Sequence, residues 1–106
     1  MKKIAIIAVL LLSVTTGQTI AGSYFISGTL TNYSATQGGL LIMVDAGIPD
    51  NCAGTPYGWM IIPQEDKAML ALALMRISQD QMKVTAYSSG AFYSGFCRVT
   101  QYDPGD

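Results

Sequence analysis

The chain reads as a mainly β domain with one helix, in the order β-β-β-α-β-β, and three observations predict this. The first is Pro63 to Ile77, PQEDKAMLALALMRI, a stretch in which Ala68 to Met75 are all apolar and mostly strong helix formers. The second is its flanks. Runs rich in β-branched and aromatic residues, separated by Gly, Pro and Asn, lie on both sides of it. The third is composition: the chain is 50% hydrophobic and only 12% charged, which supports a packed core and argues against disorder.

The N-terminus is set apart from this domain. Met1-Lys2-Lys3 is a short basic segment, and Ile4 to Leu12 is an unbroken apolar run. Small and polar residues follow, and Thr19-Ile20-Ala21 offers small side chains where a signal peptidase reads them. This is the layout of a secretory signal, and the run is too short for a stable bilayer span. Residues 1–21 are therefore expected to be a cleaved signal peptide, with the cut after Ala21 and Gly17 or Gly22 as alternatives. Residues 22–106 are expected to be one small domain, secreted or periplasmic, with no membrane span after cleavage.

Without Lys2 and Lys3, four basic side chains face seven acidic ones, a net charge of −3. That is not the basic footprint of a nucleic-acid binder, nor a charge suited to anionic lipid. Cys52 and Cys97 are the only cysteines. In an oxidising compartment an isolated pair in a small domain reads as a disulfide, and closing a loop of this length is worth roughly 4 kcal/mol. The competing metal or thiol-catalyst reading lacks support, because the chain has no histidine. No metal and no cofactor is expected.

Taken in order, Tyr24 to Tyr33 is a long first strand with a bend or bulge at Gly28. Leu40 to Val44 is a continuous apolar run, expected to be a strand buried on both faces. Asp45 to Gly58 is a long irregular loop containing Cys52, and Trp59 to Ile62 is a short third strand. The helix starts at Pro63, with Glu65 and Asp66 near its N-terminal dipole and Arg76 near its C-terminal one. Its core face is expected to carry Leu70, Ala73, Leu74 and Ile77. Met82 to Tyr87 alternates, with Met82, Val84 and Ala86 inward. Ser88 to Gly95 is a hairpin loop, Phe96 to Tyr102 is the fifth strand, and Asp103 to Asp106 is a solvated tail.

Catalysis finds little support. Ser88 and Ser89 have no histidine to act as base, and nothing pairs Lys67 or Lys83 with either of them. Glu65 and Asp66 are adjacent, and neighbours on a helix point about 100° apart rather than into one site. The chain is not expected to be an enzyme. The polar-aromatic loops are the better candidates. Asn51, Tyr57 and Trp59 on one, with Ser88, Ser89 and Tyr93 on the other, join rigid rings to short hydrogen-bonding side chains. Such surfaces suit sugars or polar protein patches. Core packing at a strand start is the competing role for Tyr57 and Trp59.

From Trp59 to Thr100 the pattern is strand, EDKAMLALALMRI, MKVTAY, loop, then FCRVTQ. Together with the signal and the single staple, it resembles the pentameric B subunits of bacterial AB-type toxins, in particular the subtilase cytotoxin B subunit and its pertussis-type relatives. The resemblance implies a small five-stranded OB-fold barrel, recognition of a cell-surface glycan, and delivery of a separate catalytic subunit. Apart from the resemblance, the opposite helix face (Ala68, Ala71, Leu72 and Met75) would be left in water by a monomer, so a cyclic homo-oligomer is expected with Ala68, Leu72 and Met75 at its interface, the main rival being cover by the Asp45 to Gly58 loop of the same chain. Five copies are implied by the resemblance alone. The alternative is a periplasmic or secreted structural or inhibitor-like protein that binds another protein.

Overall fold

A computed structural model describes residues 20–105; the expected signal sequence lies outside the described residues up to Thr19. The protein is mainly β with one helix. The strands are β1 (Ile20–Ala21), β2 (Phe25–Ala35), β3 (Gly39–Val44) and β4 (Met60–Pro63) before the helix α1 (Lys67–Ser78). After it come β5 (Lys83–Tyr87), β6 (Phe92–Tyr93), β7 (Phe96–Arg98) and β8 (Gln101–Pro104). They form one curled sheet in the order β6-β7-β4-β3-β2-β5-β8, with β1 added to β2.

The curl comes from β2 and from the last strands. The first half of β2, Phe25 to Thr29, pairs with β5, and its second half, Leu30 to Ala35, pairs with β3. The register slips between Leu30 and Asn32, so the strand turns there rather than at Gly28 as expected. Gly28 has another reason to lack a side chain: a Cβ would run into the Asp45 carboxylate, whose Oδ1 accepts the Thr29 amide at 2.9 Å.

At the other end, β7 pairs parallel with β4 while β8 pairs antiparallel with β5. The switch occurs within two residues. The Val99 amide donates to Ile61 at 2.8 Å, and the Thr100 amide donates to Tyr87 at 2.8 Å. One short stretch thus joins the two ends of the sheet into a barrel-like shape.

The strand count differs from the five expected. The fifth strand is divided at Val99–Thr100 because its two halves have different partners. The expected loop after Ser88 contains β6, which pairs with β7 through a two-residue turn at Ser94–Gly95. Both turn residues have positive φ, 52° and 89°, which matches the right-handed twist of a tight hairpin. β1 is a further two-residue strand, and a cut after Ala21 would detach it. Asp103 and Pro104 belong to β8 rather than to a tail.

The core gathers Ile26, Leu30, Leu40, Ile42, Val44, Met60, Ile62, Val84, Ala86, Val99 and Tyr102. β3 is buried on both faces, as its unbroken apolar run implies. Leu40, Ile42 and Val44 enter the core, while Leu41 pairs with the equally buried Ile61 on the outside. Pro63 is not the first helical residue. It closes β4 opposite Gly39, and a turn at Gln64–Glu65 precedes the helix.

α1 buries Ala73 completely and leans on the core with Met69, Leu70, Leu72 and Ile77. Leu74, expected inside, is 47% exposed, and Leu72, expected at an interface, packs against the core. The helix is therefore rotated about its axis from the expected orientation. Arg76 supplies a reason: its Nη2 reaches the Gly105 carbonyl at 2.9 Å, which turns that side towards the end of β8. The outward stripe is Ala68, Ala71, Leu74 and Met75.

Cys52 and Cys97 are bonded, with Cα atoms 5.5 Å apart, and tie the long loop to β7. Free-thiol titration of denatured, unreduced protein should find none, and Cys97→Ser should cost a few kcal/mol in chemical denaturation. Tyr102 offers a second test. Burial raises its phenol pKa above 10.0, opposed by the Arg76 charge, and its hydroxyl finds no hydrogen-bond partner among the described residues. The neutral form is favoured on folding, so stability present below pH 10 should fall as pH rises beyond it. Tyr102→Phe should remove that alkaline loss in pH-dependent melting while leaving neutral-pH stability unchanged or higher.

Candidate functional site

The two polar-aromatic loops meet at one end of the barrel. The disulfide brings Asp50–Cys52, a single 3-10 turn, against β7. Beside it, Asn51 Nδ2 donates to the Ser88 carbonyl at 2.9 Å, and the Asn51 amide donates to Ser23 at 3.0 Å. The Ser88 amide in turn donates to the Tyr24 carbonyl at 2.9 Å. Gly90, at φ 90°, lets the second loop close onto Asn51, since a Cβ there would come within 3.2 Å of it. Three segments are thus pinned together: Ser23–Tyr24, Asn51–Cys52 and Ser88–Gly90.

The expected ligand contacts divide within this frame. Asn51 is half-buried and holds the loops together. Ser88 is only 4% exposed; its hydroxyl contacts Cys97 Sγ at 3.2 Å and accepts the Gly90 amide at 3.0 Å, so it is structural rather than presented outward. Tyr57 is 88% exposed and sits at φ 54°, unusual for a residue with a side chain. Trp59 is half-buried. Thr55, which the sequence did not single out, is buried and bonds both neighbours of this region: its Oγ1 donates to the Trp59 carbonyl at 2.7 Å and accepts the Cys97 amide at 3.0 Å.

Ser89, within the pinned segment, and Tyr93 are both near Arg98. Ser89 lines an open depression of about 600 Å³ together with Asp66, Lys67, Met69, Arg98 and Thr100. Tyr93 lies under the Arg98 guanidinium, 5.2 Å from ring centroid to Cζ. Arg98 also reaches Asp66 at 3.1 Å and Glu65 at 3.3 Å. Its hydrogen bond to Asp66 holds the guanidinium still more firmly charged than usual. Being at the surface, these pairs contribute little to stability, but they bring Glu65 and Asp66 together on one guanidinium at β7; the two precede the helix, so the expected 100° divergence of helical neighbours does not apply. Among the described residues, no group of three or more Asp, Glu or Cys side chains is gathered as metal ligands would be.

The largest cluster of rings is one that loop reading missed. Tyr24, Phe25 and Tyr87 have centroids 5.4 to 6.0 Å apart on the outer face where β2 meets β5. Only the pairing of Phe25 with Tyr87 assembles it, although alternation in the two strands already placed both rings on the face opposite Ile26 and Ala86. Beside α1, Leu40, Leu70, Leu74 and Ala35 line a second, smaller hollow of about 140 Å³. No helix among the described residues is long and apolar enough to cross a membrane.

Asn51→Ala should loosen the junction without dismantling the barrel. The expected cost is about 1 kcal/mol, with amide hydrogen exchange accelerated at Ser88 and Gly90 and unchanged in β3 and β4. Comparison with protein-family models, with curated proteins and with solved structures finds no match to this chain.

Proposed function

We propose that this chain is an exported, non-enzymatic binding protein with an OB-like barrel that recognises a glycan and works as a homo-oligomer. The OB-like reading is supported by the parallel β4–β7 pair, the helix between β4 and β5, and the long β2 shared by two strands. Export is supported by the formed disulfide, which belongs to oxidising compartments.

The observation that carries the binding reading is the junction of the loops. Cys52–Cys97 and the Asn51–Ser88 bond fix the two polar-aromatic segments to one another where Asn51–Cys52 meets Ser88, at one end of the barrel. Prearranged rings and hydroxyls bind polyhydroxylated ligands with little ordering cost. Self-association rests on the outward stripe of α1, where Leu74 and Met75 stand in water beside Ala68 and Ala71. An apolar stripe of this kind fits a contact between identical helices around an axis.

A glycan array probed with the purified mature protein tests recognition, and sedimentation equilibrium tests assembly. Retention of a defined set of glycans by a species larger than a monomer is expected, with Met75→Glu shifting it towards monomer. Absence of binding above background would remove the glycan reading. A single stoichiometric protein captured from periplasm would favour the protein-binding alternative instead.

A further inference from the structure

The outer face of the β2–β5–β8 portion of the sheet is organised in rows. Ile26, Ala86 and Tyr102 point into the core, so their neighbours point out. In register, the first outward row is Phe25, Tyr87 and Gln101, and the second is Ser27, Thr85 and Asp103. Tyr24, 55% exposed, extends the first row at its edge. Its ring is tilted 34° to Tyr87 and stands at 70° to Phe25, which leaves a shallow angled surface rather than a flat stack.

The polar groups beside these rings are already oriented. Gln101 Nε2 donates to the Asp103 carboxylate at 3.1 and 3.2 Å, and the Ser27 and Thr85 hydroxyls bond one another across the strands. From strand spacings, the two rows cover about 10 Å across the strands and about 7 Å along them. The surface rests on the pinned junction, because the Tyr24 carbonyl accepts the amide of Ser88, next to Tyr87, and Thr100 donates to the Tyr87 carbonyl.

We infer that Tyr24, Phe25 and Tyr87, with Gln101 and Asp103 beside them, form the stacking site for an uncharged oligosaccharide. This rests on the glycan reading above and assigns its centre to a sheet face rather than to Tyr57 and Trp59. The ring faces offer an apolar surface to the C–H side of a sugar ring. The Gln101 amide and the row of Ser27, Thr85 and Asp103 offer acceptors and donors to the hydroxyls at its rim. The charge nearest the rings sets the class: Lys83 lies one row further on, opposite Thr29, and within the two rows the only formal charge is the negative one on Asp103. A sialylated, phosphorylated or nucleic-acid ligand would bring like charge against it.

The test uses the purified mature protein on immobilised oligosaccharides, each presented in an uncharged and a sialylated form. Uncharged forms should be retained more strongly. Tyr24→Ala should lower that affinity about tenfold, while Tyr24→Phe, which keeps the ring, should stay within about twofold of wild type. Gln101→Ala, an exposed change, should weaken binding severalfold without touching the rings. If uncharged glycans bind and neither Tyr24→Ala nor Gln101→Ala alters the affinity, the sheet face is not the site, although the glycan reading stands. Preference for the sialylated forms would overturn the charge argument. Retention of no glycan in either form would remove the glycan reading itself, and this assignment with it.

Discussion

The segment from Phe96 to Pro104 holds this structure together, because among the described residues it is the only stretch that pairs with both ends of the sheet. Its first half runs parallel to β4 and its second half antiparallel to β5. Neither pairing would position it alone, since β7 is three residues long and β8 is four. The disulfide anchors the start of the segment at Cys97, and Tyr102 near its end is buried in the core. Between them, Val99 and Thr100 carry the change of partner. A small domain with few charges has limited means to resist opening at a sheet edge, and a covalent staple at the seam is where constraint has most effect.

That seam also determines which loops meet. Closing the sheet draws the Cys52 loop, the Ser88 loop and the chain around Tyr24 into one junction, fixed by backbone bonds and Asn51. Of the rings nearest this junction, Phe25 and Tyr87 come from paired strands, and their positions are set by register rather than by loop conformation. Side chains on paired strands are held more firmly than those on loop tips. Tyr57, by contrast, stands almost free at the tip of its turn.

The helix shows a different kind of constraint. It covers one side of the barrel with the small Ala73 at its closest approach and larger side chains on either flank. Arg76 reaches across to the end of β8, so the orientation of the helix and the course of the last strand are coupled. What remains outward is a mixture of small and flexible apolar residues, and it is the feature of this surface that a lone domain leaves uncovered.

How much of this was legible follows from how local each signal is. Element types were readable because periodicity and turn residues act over a few positions: the order of strands and helix, the double burial of Leu40 to Val44 and the inward set Val84 and Ala86 all follow from the chain. The cysteine pair was readable because no other cysteine competes. The phase of the helix was not, because a run apolar all the way round carries no mark of which face is covered. Pro63 suited a helix start and equally a strand end, and only its pairing with Gly39 decides between them. The division of the last strand depends on partners far away in sequence. The cluster of Tyr24, Phe25 and Tyr87 likewise arises only when residues some sixty positions apart come into register. The sequence by itself determined which residues can form strands, helix and staple, because those preferences are local; which surfaces those residues share was decided by tertiary pairing, because contact across the sheet is a property of register and closure that no single segment carries.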